Sequence, residues 1–280
     1  MNRQNEKTIR RRHQDNGVAW DETAAIYERD EARDIAHLRA GGHTLLGLEL
    51  PFLSDLGGWC GRAVHLQCSG GSDTLSLWNL GAREVVGVDI SERMIACARR
   101  KTAALGAPAT WHCCDILDTP HTLDNTADLV YTGKGALPWM MDIGAWARVV
   151  ARLLAPGTGR LYVFEGHPID WVWDTDADTL RFDPHDGDYF SGGCLAGHRW
   201  PAPFLDEQER PSDADRPRLH ERQWTLGAIL NSLVDAGLYL ERFEEHPDLY
   251  WNQFPNLPGH IAARLPHTFS LRMRKPETRA

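Results

Sequence analysis

The stretch Val64-His65-Leu66-Gln67-Cys68-Ser69-Gly70-Gly71-Ser72-Asp73-Thr74 decides how this chain is read. An apolar run enters a tight loop of small residues, and a helical pattern with Leu75, Leu77 and Leu80 leaves it. Small residues let a backbone approach a ligand closely, and the opening of a helix offers N–H groups that lack an intrahelical partner. The next β-branched run, Glu84 to Val88, ends at Asp89. A carboxylate there is placed to accept hydrogen bonds from a ribose diol. A third run, Ala109 to His112, ends near Asp115, whose position suits an exocyclic adenine amine. Ligands of open α/β sheets bind at such strand ends, so the loop, Asp89 and Asp115 reinforce one another.

The flanking sequence repeats the same rhythm. Ser91 can cap a helix carrying Met94, Ile95, Ala98 and Leu105 on one face. Ala127 to Tyr131 reads as a fourth strand, Ile143 to Leu154 as a helix stopped by Pro156 and Gly157, and Arg160 to Phe164 as a fifth strand. This alternation predicts an α/β fold with a parallel sheet covered by helices on both faces. Thr23 to Leu38 reads as a helix ahead of the sheet, and the basic first dozen residues (Arg3, Lys7, Arg10, Arg11, Arg12) as a solvated tail. Beyond Phe164 the rhythm breaks. Residues 170–222 hold 13 acidic and 6 basic side chains together with Trp171, Trp173, Phe182, Tyr189, Phe190, Trp200 and Phe204. Disordered linkers lack aromatics, so this stretch reads as an insertion folded over the sheet's working edge. Thr225 then caps a helix that ends at Gly237, and Leu238 to Glu244 and Thr268 to Arg274 read as closing strands.

Composition limits the function classes. The 280 residues carry a net charge of −9, which argues against a nucleic-acid partner. Six cysteines form no C-x-x-C pair, so reduced thiols in a cytoplasmic protein are expected. Metal-ligand spacing is lacking, and the longest apolar stretch, 143–155, contains Arg148 and Arg152 and is too short to span a bilayer.

With these residues in view, the chain resembles the class I S-adenosylmethionine-dependent methyltransferases. The resemblance runs roughly from Trp20 to Lys275. It rests on the strand-loop-helix, the run Val-Val-Gly-Val-Asp-Ile-Ser at 85–91, Asp115-Ile116, Leu-Leu-Ala-Pro-Gly-Thr-Gly-Arg-Leu at 153–161 and Asp-Ala-Gly at 235–237. It implies a Rossmann-like, mostly parallel seven-stranded sheet in the order 3-2-1-4-5-7-6, with a lid inserted after the fifth strand. The implied segments are 1–58 (tail and cofactor-covering helix), 59–169 (cofactor-binding core), 170–222 (insertion) and 223–280 (closing helix and strands). S-adenosyl-L-methionine is the implied cofactor. Its candidate contacts are Leu66, Gln67, Ser69, Gly71 and Thr74 in the loop, Asp89, Ile90 and Met94, Asp115 and Ile116, Thr132 and Gly133 after the fourth strand, and Trp20 and Tyr27 from the covering helix. The pattern departs from the family where His65 replaces the usual first acidic residue and where Gln67 and Ser69 replace the first two glycines. The methionine ammonium would then be held by acceptors around Leu66 and Gln67. The His-Leu-Gln-Cys form resembles a bacterial small-molecule subgroup, pointing to specialised metabolism.

Methyl transfer from a sulfonium is an in-line displacement, and a base is needed only for a protonated acceptor. His167, in Glu165-Gly166-His167-Pro168, is the candidate base, with Glu165 as a loop support. Lys134, Trp139, Trp171, Tyr189, Tyr250 and Trp251 are candidate acceptor contacts, and together they favour a flat, heteroaromatic small molecule. Two other readings remain at this stage. A nicotinamide-dependent oxidoreductase also uses a ribose-binding Asp, but it predicts G-x-G-x-x-G where this chain has Ser69-Gly70-Gly71-Ser72-Asp73-Thr74. A non-catalytic, regulatory cofactor-binding protein is favoured only by the altered first motif.

Overall fold

The computed structural model of the protein describes residues 3–185, 187–197 and 218–277. In chain order the helices are α1 (Arg3–Arg39), α2 (Leu50–Leu53), α3 (Ser72–Asn79), α4 (Glu92–Leu105), α5 (Ile143–Leu153), α6 (Leu226–Asp235) and α7 (Gly259–Ala262). The strands are β1 (Arg62–Leu66), β2 (Glu84–Asp89), β3 (Ala109–Cys113), β4 (Leu129–Gly133), β5 (Arg160–Gly166), β6 (Cys194–Gly197), β7 (Leu219–Arg222), β8 (Tyr239–His246) and β9 (Thr268–Arg274).

Seven strands form one sheet in the order β3-β2-β1-β4-β5-β9-β8, and β6 and β7 pair apart from it. The first five are mutually parallel, and β9 runs antiparallel to both β5 and β8. Apart from the inserted pair, this is the strand order the family resemblance implies. The parallel strands are buried nearly end to end, as strands covered on both faces must be. One core layer joins β1, β4 and β5 to α5 and α6 through Val64, Leu66, Val130, Trp146, Val163 and Leu233. On the other side Tyr131, Tyr162 and Phe164 pack with Leu53, Leu56 and Leu77. The helix caps form as read: Ser91 Oγ accepts from Met94 N at 3.1 Å, and Thr225 Oγ1 from Ala228 N at 3.1 Å. The fourth strand begins at Leu129, two residues later than read. Ala127 makes only an isolated bridge with Leu154.

The N-terminal reading needs a larger correction. Residues expected to be a solvated tail are the first turns of α1, a 37-residue helix. Its mean hydropathy is low, but Ile9, His13, Asn16, Ala19 and Thr23 recur every three or four residues and are buried. A helix this long reaches roughly 55 Å, enough to cross the tips of the parallel strands. Gly17 lies where it passes β2, and a Cβ there would sit 3.2 Å from Ile90 Cγ1. Glycine costs an exposed helix about 1 kcal/mol relative to alanine, so it belongs where a backbone must come close. Paired charges fasten the helix to α4: Arg93 to Glu28 at 2.6 Å and Arg100 to Glu31 at 2.7 Å. Fully buried Lys101 donates to Asp34 Oδ2 at 2.9 Å and to Ser72 Oγ at 2.7 Å. Among the described residues no helix is long and apolar enough to cross a membrane.

The loop after β1 depends on Gly71. Its φ is +81°, and a Cβ would lie 2.7 Å from both Ala98 Cβ and Trp111 Cη2. Gly71→Ala should therefore destabilise the fold by about 2–3 kcal/mol, read as a lowered urea midpoint. An unchanged midpoint would show that the loop tolerates a different path.

Candidate functional site

The tips of β1, β2, β3 and β4 open into a cavity of about 500 Å³, roofed by α1 and closed at one end by the segment carrying Tyr250 and Trp251. Its floor is the loop read first. Gln67 and Ser69 take left-handed backbone angles of φ 58° and 49°, conformations that are costly without glycine and are held here by neighbours. Ser69 N donates to Asp89 Oδ2 at 2.8 Å, and Ser91 N donates to Asp89 Oδ1 at 2.9 Å. A carboxylate offers about four acceptor positions, so Asp89 keeps capacity for a bound diol. Burial pushes its carboxyl up, against these backbone hydrogen bonds.

Asp115 is held from α1. His13 Nε2 accepts from Met141 N at 3.0 Å, so the proton of the neutral ring sits on Nδ1, which donates to Asp115 Oδ2 at 2.8 Å. Arg10 lies 3.0 Å from the same oxygen and makes two 2.8 Å bonds to Asp118. Burial works to raise the Asp115 carboxyl, but these partners bring it below its ordinary value. The opposite end of the cavity is polar. Lys134 Nζ bonds Asp73 at 2.8 Å and Thr44 O at 3.0 Å, and Asp30, Arg33 and Asp34 line the wall beside them.

His65 Nδ1 meets Thr74 Oγ1 at 2.8 Å, and its ring stands edge-on to Tyr131. Burial drives its pKa down to about 4, so it is neutral near pH 7 and supplies none of the negative charge expected of an acid at this position. Gln67 Nε2 donates to Ala136 O at 2.5 Å, while its Oε1 is buried and lacks a partner among the described residues. This orphaned acceptor, on a residue lining the cavity, fits a bound ammonium. Buried Glu165 shapes the loop after β4, accepting from Gly135 N at 2.5 Å, Gly166 N at 2.8 Å and Leu137 N at 2.9 Å.

Of the candidate cofactor contacts, Trp20, Tyr27, Gln67, Ser69, Gly71, Asp89, Ile90, Met94, Asp115, Ile116 and Gly133 line this one cavity. So do the candidate acceptor contacts Lys134, Trp139, Tyr250 and Trp251. Six candidates do not. Leu66 points into the α5 side of the core, because it alternates with His65 along β1. Thr74 is buried beneath His65, and Thr132 Oγ1 donates to Leu66 O at 3.2 Å. His167 is a turn cap rather than a base. Its Nδ1 accepts from Ile169 N at 3.0 Å and its Nε2 faces Glu245 Oε1 at 3.0 Å, which leaves neither nitrogen for an acceptor. That cap begins the 3-10 turn Pro168–Val172, which holds Trp171 outside the cavity lining. Tyr189 lies over the start of α6, where its hydroxyl accepts from Leu226 N at 3.1 Å. Trp200 and Phe204 lie outside the described residues.

Several wall residues escaped the sequence reading: His13, Asn16, Asp30, Arg33, Asp34, Thr44 and His65. A signal for the helical ones was present. His13, Asn16, Trp20, Tyr27, Asp30 and Asp34 recur at spacings of three, four and seven, which is one face of a helix. The basic cluster at the N-terminus drew the reading away from it.

A glycine-rich strand-to-helix loop, followed by carboxylates at the next two strand tips, defines a site for an adenosine-containing ligand in an α/β fold. Comparison with known proteins carries this further. Residues 63–157 match a family described as a methyltransferase domain. An S-adenosylmethionine-dependent methyltransferase from Mesorhizobium loti is 25% identical with a TM-score of 0.56, over 81% of this chain and 97% of that one. One described as putative, from Listeria monocytogenes, is 18% identical with a TM-score of 0.60, over 82% and 97%. Geranyl diphosphate C-methyltransferase from Streptomyces coelicolor A3(2), whose structure contains S-adenosyl-L-homocysteine, is 14% identical with a TM-score of 0.55, over 81% and 78%. No curated protein matches in sequence. Residues 63–157 thus match a methyltransferase domain centred on the strand tips described above, and the chain has the fold of S-adenosylmethionine-dependent methyltransferases.

The displaced titration of His65 has a measurable consequence. The folded protein protonates this ring only near pH 4, whereas the unfolded chain does so near 6.5. Its contribution to stability is therefore complete above pH 6.5 and is lost as pH falls toward 4. Between pH 7 and pH 5 the loss should be on the order of 2 kcal/mol. Urea unfolding of wild type and His65→Gln at both pH values checks this. The variant should lose less stability on acidification, and parallel losses would refute the assignment.

Proposed function

We propose that the protein transfers the methyl group of S-adenosylmethionine to a nitrogen, or an oxygen, of a small heteroaromatic metabolite. The observation carrying this reading is that one cavity joins the Asp89 and Asp115 strand tips to an aromatic wall of Trp20, Trp139, Tyr250 and Trp251. Donor and acceptor can share a single water-shielded space there. Trp20 meets Trp139 edge-to-face at 5.3 Å, and an aromatic wall of this kind suits a flat ligand.

In this reading Asp89 binds the ribose, and Asp115, pinned by His13 and Arg10, accepts from the adenine amine. Gln67 Oε1 takes the ammonium. Lys134 and Arg33 favour the carboxylate at the polar end. When bound, the cofactor supplies a methyl group already activated by its positive sulfur. The protein's task is then alignment: Glu165 holds the loop 133–137 through the N–H groups of Gly135 and Leu137, and Tyr250 packs against Gly135. The net charge of −9 and the acidic stretch 170–222 support a small acceptor over a nucleic acid. Six unbridged cysteines accord with a cytoplasmic setting, and the His-Leu-Gln-Cys form with bacterial specialised metabolism.

Titration calorimetry tests the donor assignment. S-adenosylmethionine should bind and NAD should not. Asp89→Asn should weaken binding at least about tenfold while circular dichroism shows a retained fold. Tight NAD binding, or an unchanged affinity in the folded variant, would defeat the reading. Mass spectrometry of reactions with heteroaromatic N–H and O–H compounds then reads the acceptor class.

A further inference from the structure

The segment that closes one end of the cavity is tied down on both sides of Tyr250 and Trp251. On one side Thr268 Oγ1, at the start of β9, donates to Asp248 O at 3.0 Å. On the other, Gln253 Nε2 donates to Asp170 Oδ2, in the 3-10 turn after β5. Asp170 Oδ1 lies 2.8 Å from His267 Nδ1, and His267 Nε2 lies 2.9 Å from Ala262 O in α7. The His267 backbone joins the same frame, its N–H donating to His246 O at 2.8 Å and its carbonyl accepting from His167 N at 2.8 Å. Asp170 and His267 are both buried, and neither lines the cavity.

These hydrogen bonds fix the proton count of the pair. A carbonyl only accepts, so His267 Nε2 carries a proton to bond Ala262 O. Gln253 already donates to Asp170 Oδ2, so the contact between Asp170 Oδ1 and His267 Nδ1 needs a second proton. The pair closes with one proton more than a neutral imidazole beside a carboxylate would hold. Without it, a ring lone pair faces a carboxylate oxygen at 2.8 Å, and the contact turns repulsive. Burial works to lower the His267 ring, but its hydrogen bond and charge pairing with Asp170 carry it above its ordinary value, while burial pushes Asp170 up to about 6. Of the neighbouring groups, burial lowers His167, whose ring meets Glu245 on β8, and raises Tyr250. His246 on β8 turns its ring to Ser270 Oγ at 3.0 Å, and Phe254 offers His267 an uncharged ring at 5.4 Å.

We propose that Asp170 and His267 are positioning residues for the acceptor wall: the proton they share clamps Gln253 and Ala262 to the sheet and so holds Tyr250 and Trp251 against the cavity. Treating those two rings as acceptor contacts rests on the methyl-transfer reading above. The shared proton is in place below the ordinary imidazole value of 6.5 and is lost as pH rises through the raised one. The wall is therefore firm in mildly acidic solution and loosens in alkaline solution, while the Asp89 and Asp115 tips are left as they are.

Hydrogen–deuterium exchange of the full chain at pH 6 and pH 9, read by mass spectrometry and corrected for the intrinsic pH dependence of amide exchange, tests the clamp. Peptides spanning 247–256 should lose about fivefold in protection at the higher pH, and peptides from β1 and β4 should not. Asp170→Asn offers an amide N–H to the neutral ring, and His267→Asn offers one to the Asp170 carboxylate. Either contact forms without a shared proton, so in both variants the protection of 247–256 should change by less than about twofold between the two pH values. Both variants keep His167, Glu245 and His246, so a pH dependence set by those groups would persist in them. Circular dichroism checks that each variant folds; where one does not, the other and the wild-type profile decide. Equal protection of 247–256 in wild type at both pH values, or a loss that survives in a folded variant, would overturn the proposal. Calorimetry with S-adenosylhomocysteine at pH 6 decides the underlying reading separately. Wild type and both folded variants should bind it alike, and failure of wild type to bind would bring down the methyl-transfer reading while the exchange data still decide the clamp.

Discussion

The carboxylate of Asp89 is the constraint on which the site depends. One oxygen accepts from the Ser69 N–H and the other from the Ser91 N–H, so a single side chain fixes both the loop after β1 and the start of α4. Without it, the left-handed backbone of Gln67 and Ser69 would lack the bond that offsets its strain. Gly71 and Ser72 follow directly, and Ser72 in turn reaches Asp34 on α1 at 2.8 Å. The floor and the roof of the cavity are therefore linked through one loop.

That linkage explains how an almost wholly polar helix can roof a site. α1 gains little from apolar burial beyond Ile9, Ala19, Ala24 and Leu38. It is held by hydrogen bonds at both ends and in the middle. His13 and Arg10 reach the β3 tip, Asn16 exchanges two bonds with the His220 backbone on β7, and Asp34 meets Lys101 and Ser72. Exposed pairs of this kind contribute little each, but buried Lys101 would leave Asp34 uncompensated if removed. A roof held by polar contacts can also exchange them for water, which suits a site whose ligands must enter and leave.

Most of the fold was legible in sequence because parallel strands buried on both faces write themselves as apolar runs between helical periods. Ser91, Asp142 and Thr225 begin their helices as caps. The donor end was legible for the same reason: Asp89 and Asp115 sit at strand ends, and strand ends converge in space. The acceptor end was not. His167 looked like a base because its sequence neighbours are a strand end and a proline, but both of its nitrogens are taken up in forming the turn itself. Trp171 and Tyr189 follow that turn away from the cavity. The first turns of α1 were hidden by their charge, since a stripe of His13, Asn16 and Trp20 does not register as amphipathic.

This division has a physical basis. The parallel sheet fixes its strand tips to within a residue, so the groups that meet the shared donor must come from it. Elements outside the sheet can change length and sequence without disturbing that register, and they supply the aromatic wall of the cavity: Trp20 from α1, and Tyr250 and Trp251 before α7. One fold can thereby serve acceptors of differing shape and acidity, with the donor chemistry held constant.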